Sequence, residues 1–276
     1  MFKSNRNPQF RSKFSEDIFN TKYSHEGAET LHELSCTLVN DVCQSKLTAD
    51  EKEELIDHIS NLRFIPGGRY LYYAGRDKKF FNNCYLLKAE EDNREDWAKL
   101  SWEAESCLMT GGGIGVDYSV YRQEGQILKG TGGISSGPIP KMQMINEIGR
   151  HVMQGGSRRS AIYASLNWKH ADIDQFLVSK NWHDMPVGNT GQTIFDIKQD
   201  DFNFPAPLDM TNVSVNYDTE WLLNYWETGE VGDVFKTNVY QALRTAEPGF
   251  SFNFFEKENE TLRNACTEVT SEDDSD

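Results

Sequence analysis

The sequence predicts an α/β fold preceded by a small helical region, and three observations carry that prediction. From residue 63 onward, short apolar runs alternate with stretches of helical period, the texture of strands alternating with helices around one sheet. Before that point only helical periods occur. Glycine clusters then punctuate the chain at Pro66-Gly67-Gly68, Gly111-Gly112-Gly113 and Gly155-Gly156, where the backbone must turn or approach a neighbour closely. These features divide the chain into a helical region, 1–62, and an α/β region, 63–276.

Residues 1–26 are polar and are expected to be loosely ordered until packed against something. Residues 28–43 read as a helix with Leu31, Leu34, Leu38 and Val42 on one face. Thr48 followed by Glu51 is a capping-box pattern, and Leu55, Ile56, Ile59 and Leu62 continue a second helix. Asn83 to Leu87 is strand-like. Residues 93–109 form an amphipathic helix with Trp97, Leu100, Ala104 and Leu108 inward. Gly111 to Asp117 reads as a tight turn into a strand, and 139–153 as a helix striped by Met142, Ile145, Ile148 and Val152. Further strands are expected at 161–166, 193–197, 213–216 and 250–254. No internal repeat is present, and the one low-complexity piece is the acidic Ser271–Asp276.

The chain has 276 residues, 38% of them hydrophobic, enough for one large domain or two small ones. Its formal charge of −15 offers no basic field to gather nucleic acid or an anionic membrane. No run of about 18 apolar residues marks a membrane span, and the N-terminal MFKSNRNPQF lacks the apolar core of a signal peptide. The five cysteines contain no C-x-x-C pair, which points away from a zinc site or disulfide framework and towards a reducing cytoplasm.

Four stretches could carry chemistry. In Asn264-x-Cys266-x-Glu268 an amide, a thiol and a carboxylate recur at every second position. An extended segment would put all three on one side, where an amide can hold a hydroxyl, a carboxylate can take its proton and a thiol can act as nucleophile or hydrogen-atom donor. The plain alternative is a polar strand edge. Cys84 sits in FFNNCYLL, behind two asparagines that are unfavourable near a strand unless their amides are used. Cys36, Cys43 and Cys107 lie inside helical patterns and fit packing roles. TGGGIGVD matches neither a Walker A loop nor G-x-G-x-x-G. Gln154-Gly155-Gly156-Ser157-Arg158-Arg159-Ser160 pairs arginines with glycines in an acidic chain, which suits either a local anion site or a solvated surface turn.

Taken in order, PGGRYLYYAGR, NNCYLL, TGGGIGVDYSVYR, GGSRRSAIYASLNWKHADIDQFL, TNVSVN, EPGFSFNF and LRNACTEVTSEDDSD resemble the catalytic subunit of ribonucleotide reductases, over roughly residues 60–276. The pattern is most similar to the adenosylcobalamin-dependent, triphosphate-reducing class. The resemblance implies the N-terminal portion of a ten-stranded α/β barrel with a central finger loop. It implies that Cys266 becomes a thiyl radical that removes the 3′ hydrogen of a ribonucleotide. Asn264 would hold the ribose hydroxyls, Glu268 would take the 3′-hydroxyl proton, and Cys84 would be one of two reducing cysteines. Asn83 would line the ribose pocket, with Gly112 and Gly113 beside the substrate. Residues 119–137 match the first specificity loop and 154–162 the second. Asp92, Arg122, Arg158, Arg159 and Ser160 are thereby candidates for reading a deoxyribonucleoside triphosphate effector. The implied cofactor is adenosylcobalamin, with no metal site of the chain's own, and the implied reductant is thioredoxin or a similar dithiol.

The chain departs from the family pattern after Cys266. A second redox cysteine is expected about a dozen residues later, yet ten residues follow Cys266 and none is cysteine. The second half of the barrel is missing from this sequence, so the chain reads as one half of an enzyme that needs its C-terminal half. A radical-subunit-dependent diphosphate reductase and a non-catalytic nucleotide-binding module are the alternatives. Retention of Cys84, Asn264, Cys266 and Glu268 favours the enzyme.

Overall fold

A computed structural model of the chain describes residues 10–128, 130, 132–152, 160–267 and 270–272. The chain divides into two compact units, Met1–Asn83 and Cys84–Asp276.

The first unit is helical. Helix α1, Lys13–Ile18, is capped by the Ser12 side chain and runs into a π-helical turn, Phe19–Tyr23. The packing on which order in this polar stretch was expected to depend is supplied by Phe19, buried among Leu31, Leu34 and Leu71. Helices α2, Leu31–Cys43, and α3, Ala49–Ser60, each open on a complete capping box, Thr30 with Glu33 and Thr48 with Glu51. Each box satisfies two of the amide groups a helix start leaves unpaired. Leu31, Leu34 and Leu38 are buried as the helical period requires, but Val42, the last residue but one of the helix, is exposed. A short α4, Gly68–Tyr73, follows the Pro-Gly-Gly break.

The second unit is built on five parallel strands in sequential order. They are β1, Cys84–Leu87; β2, Gly113–Asp117; β3, Ile162–Asn167; β4, Thr211–Tyr217; and β5, Gly249–Phe252. Helix α5, Arg94–Met109, connects β1 to β2, and α6, Pro138–His151, lies between β2 and β3. Helices α7, Ile173–Val178, and α8, Ile194–Asp200, precede β4. Helices α9, Thr219–Thr228, and α10, Gly232–Thr245, precede β5. β6, Leu262–Arg263, and β7, Thr270–Ser271, form a separate two-stranded antiparallel sheet.

The strand expected at 193–197 is instead the start of α8. Thr193 accepts from the Asp196 amide while the Asp196 carboxylate accepts from the Thr193 amide, a capping box with aspartate in the third position. The short run Thr-Ile-Phe-Asp-Ile suits either period, and the cap decides it.

The two faces of the sheet differ. Ile114, Val116, Ile162, Ala164, Leu166, Val213, Val215 and Tyr217 pack on the helices through Trp97, Leu100, Leu108, Met142 and Ile145. The alternate positions are Gly113, Gly115 and Asp117; Tyr163, Ser165 and Asn167; Asn212, Ser214 and Asn216; and Ser251. Parallel sheets ordinarily bury apolar side chains on both faces, so a polar second face, buried except at the exposed Asn212 and half-buried Asn167, is the feature of this sheet that asks for a function. Asp117 is its hub, accepting from Ser165 Oγ at 2.6 Å, Asn216 Nδ2 at 2.8 Å and Ser119 Oγ at 2.9 Å.

Two buried carboxylates hold the helical layer. Arg150 donates to both oxygens of Asp209, at 2.7 and 2.8 Å, and its Nε donates to Glu147 at 2.8 Å. Asp218 accepts from Lys169, from the Trp168 indole and from the Trp221 amide. Burial pushes both carboxyls up, but the hydrogen bonds outweigh it and hold Asp209 and Asp218 below the ordinary aspartate value. A group depressed on folding stabilises above its unfolded pKa and loses that contribution as pH falls through the folded value. We therefore expect the urea midpoint to hold from neutrality down to about pH 4 and to fall below it, since free aspartate titrates near 3.9. Asp209→Asn should lower the plateau and flatten the acid limb; an unchanged limb would remove Asp209 from the account.

Candidate active site

The polar face of the sheet carries a short segment laid across β2. In register, Cys84 of β1 stands beside Gly113 of β2, and Gly115 lies between Leu86 and Tyr163. A Cβ on Gly115 would come 1.5 Å from the carbonyl oxygen of Arg263, and one on Gly113 would come 3.0 Å from the Ala265 Cβ. A Cβ on Gly112 would enter the Tyr85 ring at 2.3 Å. The glycines of TGGGIGVD are thus used for close approach, and at Gly115 what approaches is backbone.

The segment is pinned from the neighbouring strands. The Arg263 guanidinium donates to Asn253 Oδ1 at 2.7 Å and to the Ser251 hydroxyl. Asn212 Nδ2 donates to the Ala265 carbonyl at 3.4 Å. This places Asn264 against the sheet, 1% exposed, with its Nδ2 donating to Cys84 Sγ at 3.6 Å. A thiol sulfur is a weak acceptor, and an amide that has given up water to reach one is held there by the surrounding backbone.

The alternation expected of this segment does not hold as a strand at Asn264 and Cys266. Regular pairing ends at Arg263, and the Thr267 amide donates back to the Asn264 carbonyl at 2.9 Å, closing a turn in which Thr267 has φ +67°. Asn264 is buried and Cys266 is exposed, so the two do not share a face by strand period. Cys84 is exposed as well. Glu268, Arg158 and Arg159 lie outside the described residues.

The remaining candidates fall in three places. Asn83 is exposed and ends the first unit. Ser160 is buried, its hydroxyl donating to the Val152 carbonyl at 3.5 Å. Asp92 and Arg122 are brought together: Arg122 Nε donates to Asp92 Oδ2 at 2.6 Å, and the Trp97 indole donates to Asp92 Oδ1 at 3.1 Å. Tyr121 packs edge-on against Trp97. Gly115 and Asp117 lie in the stretch TGGGIGVD that the sequence marks for close approach, whereas Arg263 and Asn212 carry no such mark of their own. The polar-apolar alternation of Thr211–Tyr217 was the signal that could have found Asn212 and its row.

The arrangement joins a buried amide, a thiol fixed by it and a second exposed thiol two residues beyond the amide. Such a set can hold a hydroxylated ligand and pass hydrogen or electrons through sulfur. Among the described residues no group of His, Cys, Asp or Glu could hold a metal ion, and no helix is long and apolar enough to cross a membrane.

Comparison with known proteins bears on this geometry. Residues 82–195 match the family model "Ribonucleotide reductase, barrel domain". The chain is similar to a vitamin B12-dependent ribonucleoside-diphosphate reductase of Thermoplasma acidophilum, 28% identical over 194 residues, or 70% of this chain and 24% of that protein. A Mycobacterium tuberculosis protein of the same description is 33% identical over 122 residues, 44% of this chain and 18% of the relative. The ribonucleoside-diphosphate reductase large subunit of Arabidopsis thaliana is 32% identical over 128 residues, 46% of this chain and 16% of the relative. The chain thus spans no more than 24% of the length of these curated relatives. Among solved structures, the class Id ribonucleotide reductase alpha subunit of Actinobacillus ureae superposes with a TM-score of 0.66 at 14% identity, covering 90% of this chain and 42% of that one. Residues 82–195 thus resemble the barrel domain of ribonucleotide reductases, and the chain's five parallel strands in sequential order, with a helical region before them, share the fold of a ribonucleotide reductase alpha subunit.

Proposed function

We propose that this chain supplies the first half of a reductase barrel that converts ribonucleotides to 2′-deoxyribonucleotides by thiyl-radical chemistry, with a helical region, 1–62, ahead of the barrel part, 63–276. The observation that carries the proposal is the Asn264 amide on the Cys84 sulfur at 3.6 Å, a contact between residues 180 apart in the chain. It joins the two stretches in which the family resemblance puts the ribose-holding amide and a reducing thiol.

In this reading Cys266 takes the 3′ hydrogen, Asn264 holds the ribose hydroxyls and Glu268 accepts the 3′-hydroxyl proton as the 2′-hydroxyl leaves as water. Cys84 and a second thiol from the remainder of the protein give up two electrons and end as a disulfide, which thioredoxin or a similar dithiol reduces in the cytoplasm. Asn83, Gly112 and Gly113 belong to the substrate side. Asp92, Arg122, Arg158, Arg159 and Ser160 belong to the loops that read a deoxyribonucleoside triphosphate. The named relatives are diphosphate reductases; they do not support the triphosphate expected from the sequence, and the diphosphate is the substrate to test first.

Vitamin B12 dependence comes from the names of two relatives, and adenosylcobalamin is the proposed radical source. The apolar pocket of the first unit, about 270 Å³ and lined by Phe10, Phe14, Phe19 and Ile65, does not fit it, being too small and too apolar for a corrin with its amide side chains.

The test is single-turnover reduction of ribonucleoside di- and triphosphates by the complete barrel, with adenosylcobalamin and a dithiol, beside a nucleotide-binding isotherm. Glu268→Gln keeps size and reach but cannot accept the proton, so binding should stay near normal while the rate falls by about 10²–10⁴-fold. A Gln variant at the wild-type rate would make the carboxylate structural, and loss of binding and rate together would make it a substrate anchor.

A further inference from the structure

We propose that His170 and Asp172 are positioning residues that clamp the base of the 119–137 loop and so set which nucleotide that loop selects; the second clause rests on the reading of the loop given above.

The loop cannot hold its own direction. Its middle is a small hairpin, with the Gly125 amide donating to the Ser135 carbonyl at 2.9 Å and the Leu128 amide to the Gly133 carbonyl at 2.8 Å. Ile127 and Ile134 pair across it, each 71% exposed. A lone two-stranded hairpin is marginal in water, and these two isoleucines bury little. Its orientation must come from its base.

The base is gripped by the connection between β3 and α7. His170 Nε2 donates to the Tyr121 carbonyl at 2.7 Å. The Asp172 amide donates to His170 Nδ1 at 3.0 Å, which leaves the ring hydrogen on Nε2. Asp172 Oδ2 accepts from the Glu124 amide at 2.9 Å, and Gln175 Nε2 donates to the Glu124 carboxylate at 2.5 Å. The returning limb meets the same carboxylate: a Cβ on Gly137, at φ +78°, would lie 2.8 Å from Asp172 Oδ2 and 3.1 Å from the Glu124 amide nitrogen. Both side chains of the clamp are buried, 8% and 7% exposed, where an unmade hydrogen bond is expensive.

The clamped residues bracket Arg122. Tyr121 is held on one side and Glu124 on the other, while Arg122 reaches Asp92 at 2.6 Å. The clamp therefore fixes the guanidinium that the proposed function assigns to nucleotide reading, without touching a nucleotide itself.

Amide exchange on the full 276-residue chain reads the clamp directly. Asp172→Ala should speed exchange at Glu124, Gly125 and Ser135 by about tenfold or more, the loss of a hydrogen bond to a buried charge, and leave β3 and β4 unchanged. Asp172→Asn keeps an oxygen acceptor and should restore protection. Calorimetry with each of the four deoxyribonucleoside triphosphates should show the spread of affinities narrowing by about fivefold or more in Asp172→Ala and retained in Asp172→Asn. Unchanged protection in Asp172→Ala overturns the clamp, as does faster exchange spread equally over β3 and β4. Local loosening with wild-type selectivity overturns its part in selection while sparing the function proposed for the loop. Local loosening in a chain whose wild type binds none of the four overturns nucleotide reading by the loop, and selection with it.

Discussion

Gly115→Ala should cost the complete enzyme about 10²-fold or more in turnover, the scale on which a misplacement of one ångström is felt. The added Cβ would stand 1.5 Å from the Arg263 carbonyl oxygen, with the carbonyl carbon at 2.7 Å. The obstacle is backbone, so no rotamer relieves it. Nor can β2 retreat, since Gly115 is held in register between Leu86 and Tyr163 with strands on both sides. The segment 263–265 must lift instead. Its lifting withdraws Arg263 from Ser251 and Asn253, and Asn264 from the Cys84 sulfur. Overpacking of this kind costs about 1–3 kcal/mol in stability, which a thermal melt would register. Gly113→Ala is the graded control, because its Cβ comes no nearer than 3.0 Å to the Ala265 methyl and 3.3 Å to the Ala161 carbonyl oxygen, and it should fall between wild type and Gly115→Ala. A Gly115→Ala protein that melts and turns over as wild type would mean that 262–265 does not lie on β2.

The sheet and its helices were legible because their periods are strong. Trp97, Leu100, Ala104 and Leu108 are all buried as the helical pattern of α5 requires, and the alternation Val213-Ser-Val-Asn places apolar side chains on the helices and polar ones opposite. The capping boxes at Thr30 and Thr48 mark α2 and α3 directly. What was not legible depends on partners far along the chain. Asn264-x-Cys266-x-Glu268 has the spacing of a strand, but only Leu262 and Arg263 find a partner strand, and the Thr267 amide folds back on Asn264. The glycines of β2 announce a close approach without saying that Arg263, some 150 residues on, is what approaches. The helix at 194–200 was hidden because five residues cannot separate a period of 3.6 from one of 2. The pairing of Asp92 with Arg122, and the grip of Asp172 on Glu124, are tertiary facts that neither segment carries alone.

Replacing the two exposed thiols should separate two steps of one reaction. Cys266→Ser is expected to abolish reduction in the complete enzyme, including a first turnover, because a hydroxyl hydrogen is held too strongly for the serine oxygen to serve as the radical in place of sulfur. Cys84→Ser should leave hydrogen abstraction intact and block clean reduction, since serine cannot give up an electron pair into a disulfide. The structure makes the second variant a chemical test. Serine at 84 still offers an acceptor to the Asn264 amide, now at 3.6 Å from sulfur, and the strand register with Gly113 does not depend on the side chain. Release of tritium from the 3′ position reads abstraction, and deoxyribonucleotide yield reads reduction. Wild type should show both, Cys84→Ser release without sustained yield, and Cys266→Ser neither. Equal release from all three proteins would remove Cys266 as the abstracting group. Full yield from Cys84→Ser would leave the Asn264–Cys84 contact as packing, and the amide would then have to be justified by the ribose alone.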